Sequence, residues 1–202
     1  MSRLVNFLLF SELGVILMRR ISFTTSRDPA RKTRSFIHDI IKVVPSSSRF
    51  TRGSNRLSYS LGMMKSQGYS TAVIINSVKG NPNFLRIFNL VDSLQEFPYA
   101  IKIRGSTLSR EYGKQSEGRS PKFSLLISSL NNAEEETIIS RLFNTTTADI
   151  SKLDKHDYVT VYADYLDKEE GLIFVEFLDK DNQQTGPRIK LRIVPRRIEN
   201  GL

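Results

Sequence analysis

The chain has no cysteine and no tryptophan, and only two of its 202 residues are histidine. Without cysteine there is no disulfide framework, no thiolate nucleophile and no thiolate metal site, a composition that suits a reducing compartment. Neither His38 nor His156 falls in an HExxH or HxH pattern, so a zinc site is not expected. His156, between Asp154 and Asp157, reads as part of a polar loop. There is no GxSxG elbow, no Walker loop and no GxGxxG turn. The acidic clusters at 134–136 and 167–170 read as a helix first turn and a tight turn rather than paired catalytic acids. The chain is therefore expected not to be an enzyme, and no cofactor, metal or small-molecule substrate is expected.

Long hydrophobic runs are also missing. The most apolar stretch, residues 1–17, is too short to span a bilayer and is interrupted by Glu12. It carries one Arg in front and no small-residue cleavage site. It reads as a poorly ordered extension or a start-site artefact, with a weakly docked helix as the alternative; the patterned chain begins at Met18. No membrane partner is expected, and the expected location is the cytoplasm.

What the chain has is positive charge: 30 Lys and Arg against 21 Asp and Glu, a net of +9. Such a balance favours a polyanionic partner. The charge is placed unevenly. Residues 18–57 hold ten basic and two acidic residues, a net of 10 − 2 = +8, whereas residues 128–185 hold five basic and thirteen acidic, 5 − 13 = −8. Residues 186–197 swing back with five basic residues and no acid. That asymmetry points to a designated binding face.

The stretch 21–56 organises the rest. It opens as a short alternating strand, turns at Ser26-Arg27-Asp28-Pro29 and continues as an amphipathic helix to Val44. Asp28 suits the N-cap and Pro29 the first helical position; Pro45 closes the helix. Phe36, Ile37, Ile40, Ile41 and Val44 share one face, while Arg31, Arg34, His38 and Lys42 line another. Arg31 and Lys32 stand in the first turn, where the dipole favours acids, and a broken local rule hints at function. Residues 46–53 read as a polar loop carrying Arg49 and Arg52, and 54–67 as a second helix ended by Gly68.

Strands follow at 71–78, 84–90 and 99–104, with turn chemistry at 79–83. Residues 106–122 read as a linker between a first half, 18–105, and a second half, 123–197, with a tail at 198–202. The second half reads as a strand at 123–128, a helix at 133–143 capped by Asn132, a loop at 144–157, a hairpin of 158–166 and 172–178, and a last strand at 188–194.

The halves align with one another. A shift of 102 lays Ile21 and Phe23 on Phe123 and Leu125, and Phe36, Ile37, Ile40 and Ile41 on Ile138, Ile139, Leu142 and Phe143. A shift of 88 lays Ile101-Lys102-Ile103-Arg104 on Ile189-Lys190-Leu191-Arg192, and Leu85 and Ile87 on Ile173 and Val175. The difference of 14 is about the length of the helix at 54–67, which only the first half has. The expected fold is α/β (α+β), two pseudo-symmetric halves, each a small mixed sheet with flanking helices. In both matched strands the cations fall on one side and the apolar residues on the other.

The run Thr24-Thr25-Ser26-Arg27-Asp28-Pro29 followed by Arg31, Arg34 and Phe36 resembles the opening motif of the Brix-domain family. Gly186-Pro187-Arg188 followed by Leu191 and Ile193 resembles that family's C-terminal motif, with Ile189 where an aromatic is usual and Gln184-Thr185 where an acidic and an apolar residue are usual. The spacing covers about residues 18–197 and is most similar to the short archaeal members, which resemble the Imp-type ribosome-biogenesis factors. The resemblance implies two halves similar to the anticodon-binding domain of class II aminoacyl-tRNA synthetases, and non-catalytic binding of precursor ribosomal RNA during subunit assembly. The expected RNA contacts are Arg27, Arg31, Arg34, Lys42, Arg49, Arg52 and Arg56, joined on one surface by Lys102, Arg104, Arg188, Lys190 and Arg192. The alternative is a protein-interaction scaffold whose acidic second half docks basic ribosomal or assembly proteins.

Overall fold

The computed structural model describes residues 19–112, 121–146 and 158–196. The stretch at 1–17 and the tail at 198–202 lie outside the described residues, as do 113–120 of the expected linker and 147–157 of the expected loop.

β1 (Ile21–Thr25) leads into α1 (Arg31–Val43), the short β2 (Ser47–Arg49), α2 (Leu57–Ser66), and then β3 (Thr71–Val78), β4 (Asn81–Asn89) and β5 (Gln95–Thr107). The second half repeats the plan without a counterpart of α2: β6 (Phe123–Ser128), α3 (Ala133–Phe143), β7 (Thr145–Thr146), β8 (Tyr158–Asp167), β9 (Leu172–Leu178) and β10 (Arg188–Pro195).

Two separate sheets were expected, and a single one is found. Its strand order is β2-β1-β3-β4-β5-β10-β9-β8-β6-β7, a palindrome about the β5–β10 junction. β1 runs parallel to β2 and β3, and β6 runs parallel to β7 and β8; the other pairings are antiparallel. The halves fuse because β5 and β10 each offer an edge of matching apolar alternation, and pairing those edges removes two unpaired strand rims.

One core runs through both halves. Phe36, Ile37 and Ile40 of α1 and Ile139, Leu142 and Phe143 of α3 pack on the same side of the sheet as Val73, Ile101, Val161, Val175 and Leu191. The Phe143 and Phe177 rings meet edge to face, 5.0 Å between centroids. On the opposite side, Leu61 and Met64 of α2 cover Ala72, Ile74 and Phe88. Asn144 ends α3 in the left-handed region (φ 53°), and its amide donates to the carbonyls of Arg19 and Pro45 at 2.9 Å each. It thereby ties the helix end of the second half to that of the first.

Several boundaries differ from expectation. Asp28 does not cap α1: the helix starts at Arg31, after an extended Ala30 that provides no side-chain cap. Asp28 precedes a proline, which disfavours helical backbone at Asp28, and Pro29 stays outside the helix. The loop at 46–53 contains β2, which no apolar pattern announces because Ser47-Ser48-Arg49 is wholly polar. The linker is shorter than read, since β5 runs to Thr107 and Ser109–Tyr112 form a 3-10 turn. The Ser109 N–H donates to the Asp39 carboxylate at 2.8 Å, anchoring that turn to α1. Lys79 and Gly80, both at positive φ, make a two-residue hairpin loop, so β4 begins three residues earlier than expected, at Asn81.

The register of the repeat is also off by one residue at its first strand. Ser124 donates to the Phe143 carbonyl at 2.9 Å and Leu126 packs on the shared core, while Ile127 is 45% exposed. Phe23 pairs with Val73 and Leu126 with Val161, so Ile21 and Phe23 correspond to Ser124 and Leu126, a shift of 103 rather than 102. A slip of one residue turns every side chain of a strand to the other face, and apolar Phe123 and Leu125 masked it in the sequence.

Candidate nucleic-acid interface

The basic residues singled out from the sequence form two clusters and several isolated positions. The first cluster lies beyond the carboxyl ends of the parallel strands β1 and β2. Residues 25–29 and 49–54 wall an open cavity of about 410 Å³, into which Arg27, Arg34, Arg49 and Arg52 converge. Two of these are oriented by backbone: Arg34 donates to the Pro29 carbonyl at 3.1 Å, and Arg52 Nε to the Asn55 carbonyl at 3.0 Å. Asp28 is the single acid in the lining, leaving 4 − 1 = +3. Burial lowers the Arg52 pKa, with the positive charges of Arg27 and Arg86 lowering it further. The guanidinium groups thus sit in one another's field, as expected where an anion is meant to enter.

The local fold explains this convergence. Parallel strands end together at one rim of the sheet, and the next helix starts there with its N–H groups facing outward. α1 has no side-chain cap and no acid in its first turn, so nothing in its own sequence neutralises that end.

The second cluster lies at the centre of the sheet, on the side away from α1 and α3. Lys102 stands opposite Arg192 across the β5–β10 junction, and Lys190 stands opposite Gly105, next to Arg104. Their neighbours Ile101, Ile103, Ile189 and Leu191 point into the core. Lys102 lies over the Phe84 ring at 5.7 Å. Arg192 pairs with Glu170, yet its Nε is buried with no hydrogen-bond partner among the described residues. Arg188 is engaged by Glu176 at 3.4 Å and lies over the Tyr112 ring.

The remaining candidates stand apart. Arg31 is exposed at the start of α1, and Arg56 occupies the position before α2. Lys42 borders a smaller hollow with Ser35, His38, Asp39, Ser109 and Arg110. Because α1 packs against the face that buries Ile189 and Leu191, its cations and those of β10 lie on opposite sides of the sheet. The single shared surface expected from the sequence is not formed.

Arg86 was not singled out from the sequence. It projects from β4 toward Arg52 while Glu96 holds it through two hydrogen bonds of 2.7 and 2.6 Å, which raise its pKa. The alternation Phe84, Arg86, Phe88 on one side of β4 was the available signal. Among the described residues no group of His, Asp or Glu is placed to hold a metal ion, and no helix is long and apolar enough to cross a membrane.

No protein-family model matches the chain. Curated archaeal proteins do match, each named a probable Brix domain-containing ribosomal biogenesis protein. The protein of Sulfurisphaera tokodaii is 26% identical over 185 residues, 90% of this chain and 97% of its own length. That of Thermococcus kodakarensis is 38% identical over 92 residues, 45% of this chain and 43% of its own length. That of Pyrococcus horikoshii is 36% identical over 90 residues, so the match spans 40% of that relative. Among solved structures, a probable ribosomal biogenesis protein from Aeropyrum pernix superposes with a TM-score of 0.74 at 22% identity, covering 90% of this chain and 98% of that one. An archaeal Imp4-like protein gives 0.58 at 20% identity, covering 87% and 99%. By sequence along most of its length and by fold, the chain is related to the archaeal Brix-domain ribosomal biogenesis proteins.

Proposed function

We propose that the protein is a non-catalytic ribosome-assembly factor that binds precursor ribosomal RNA through phosphates. The observation that carries this reading is the convergence of Arg27, Arg34, Arg49 and Arg52 on one cavity with a single acid beside them. The central cations Lys102, Arg104, Lys190 and Arg192 supply a second set of contacts on the far face. Phosphate contacts give affinity and orientation rather than base choice, so specificity comes from the shape of the folded RNA. Each half is read as built like a class II synthetase anticodon-binding domain, and the palindromic strand order supports the duplication that this reading requires. The relatives' names, which refer to ribosomal biogenesis, support the setting.

The test is affinity for a structured precursor-rRNA fragment as a function of salt. With on the order of five phosphates neutralised, log K falls with log salt at a slope of about −4. Arg27→Glu with Arg52→Glu lowers affinity and makes the slope shallower by about two. A chain that binds no such RNA at low salt sinks the reading.

The acidic second half favours a second partner of basic protein. Glu134, Glu135 and Glu136 crowd the first turn of α3, and Asp164 lies nearby on β8. Survival of every partner recovered from lysate after ribonuclease treatment would favour this second reading.

A further inference from the structure

We infer that the arginine cavity beyond β1 and β2 receives a single nucleotide bearing a phosphate monoester, the 5′-phosphorylated end of an RNA strand. The inference rests on the RNA-binding reading above and narrows the ligand of that same site.

Charge comes first. The cavity offers four guanidinium groups against one carboxylate, and neither Arg27 nor Arg49 has an ion-pair or hydrogen-bond partner among the described residues. A phosphodiester inside a strand brings one negative charge. A terminal monoester brings roughly 1.5 to 2 at neutral pH, and its three terminal oxygens accept more hydrogen bonds. Guanidinium groups, planar and permanently charged, match such an oxyanion through paired N–H donors.

Shape agrees with this. A duplex presents its phosphates on a convex surface, which a flat or ridged basic face fits. Here the cations line a hollow with residues 25–29 on one side and 49–54 on the other. Its volume of about 410 Å³ is of the size that holds one small ligand rather than a helical backbone. The lining also fits a nucleoside. Phe50 is the one aromatic ring in it, and Thr25, Thr51 and Ser54 bring hydroxyl groups. Aromatic rings stack on any base, which makes the site indifferent to sequence. The central cluster on β5 and β10, by contrast, is laid out along strands and matches a continuous backbone.

The experiment uses the full chain and one short single-stranded RNA made with a 5′-monophosphate, a 5′-hydroxyl or a 3′-monophosphate, read by fluorescence anisotropy. The expected result is about tenfold tighter binding of the 5′-phosphorylated strand than of the 5′-hydroxyl one, the size that one well-formed charge-assisted contact supplies. The 3′-phosphorylated strand should gain less. Arg27→Gln and Arg49→Gln, both at solvent-facing positions, should collapse the ratio of the two affinities toward one. Free AMP should compete, though more weakly than the strand. Equal affinity for both 5′ ends, with RNA still bound, overturns the end-recognition site and leaves the RNA-binding reading standing. A preference that persists in both variants overturns the cavity as its seat. AMP that binds more tightly than the strand overturns the RNA end as the ligand. Failure to bind any of the RNAs, or the structured precursor fragment, sinks both readings.

Discussion

Ile103 and Leu191 occupy the same position in the two halves of the chain, 88 residues apart, and pair with one another across the β5–β10 junction. A residue that pairs with its own repeat image marks the axis relating the two images. The pseudo-twofold axis therefore passes between these side chains, which are 4% and 1% exposed. Lys102 and Arg192 pair one step away. The image of that pair, Arg104 with Lys190, is displaced by an irregularity at Lys190 and Leu191 that brings Gly105 opposite Lys190. The symmetry that builds the core thus also gathers the central cations.

Truncation at this axis should loosen both halves together. Ile103→Ala or Leu191→Ala should each cost about 2–5 kcal/mol, and the double variant should depart from their sum because the residues touch. Urea unfolding with an unchanged m-value checks this; two separate transitions in the wild type would show that the halves unfold independently.

Gly186 should not tolerate a side chain. A Cβ there would lie 2.9 Å from three atoms of Phe177, and the Gly186 carbonyl accepts from Tyr112 and from Gln184, the latter at 3.0 Å. Gly186→Ala is expected to destabilise by about 1–3 kcal/mol through overpacking. A lowered midpoint in thermal unfolding checks this, and an unchanged midpoint would show that Phe177 yields the space.

The two helix starts should respond differently. Asn132 accepts from the Glu134 N–H at 2.9 Å, so Asn132→Ala should cost about 1 kcal/mol. Asp28, which caps nothing, should change stability by less than about 0.5 kcal/mol on replacement by Ala. A comparable cost at both positions in chemical denaturation would restore Asp28 as a cap.

Tyr165 should be slow to ionise. Its hydroxyl donates to Glu135 at 2.5 Å, and this bond to a neighbouring carboxylate, with burial and the carboxylate's charge adding to it, pushes the phenol up to about 12. The folded value lies above the unfolded one of about 10. The contribution is therefore whole below pH 10 and is lost as pH rises from about 10 to 12. Tyr165→Phe should be less stable than wild type at neutral pH, with the difference closing over that window. A constant difference up to pH 12 would count against the bond.

The repeat was legible at its second strand pairs because alternation in Ile101-Lys102-Ile103-Arg104 and Ile189-Lys190-Leu191-Arg192 is dictated by local geometry. α3 was equally legible, since Asn132 caps and three glutamates in the first turn act within a few residues of one another. β2 left no such trace. Its backbone groups are satisfied by β1, and nothing in Ser47-Ser48-Arg49 needs burying. The faces of β6 were misread for a related reason: Phe123, Leu125, Leu126 and Ile127 make both faces apolar, so alternation could not choose between them.

By itself the sequence determined the three helices and the longer strands, that the plan is duplicated, and that charge of one sign collects near the first helix. These depend on periods of two and 3.6 residues and on composition, which are properties of neighbours along the chain. Only the tertiary structure decided that the halves share one sheet, that Arg27, Arg34, Arg49 and Arg52 meet in a cavity, and that Lys190 and Arg192 face away from α1. Which side of a sheet a helix covers, and which strand ends coincide, follow from pairing between residues tens of positions apart. No local pattern encodes that choice.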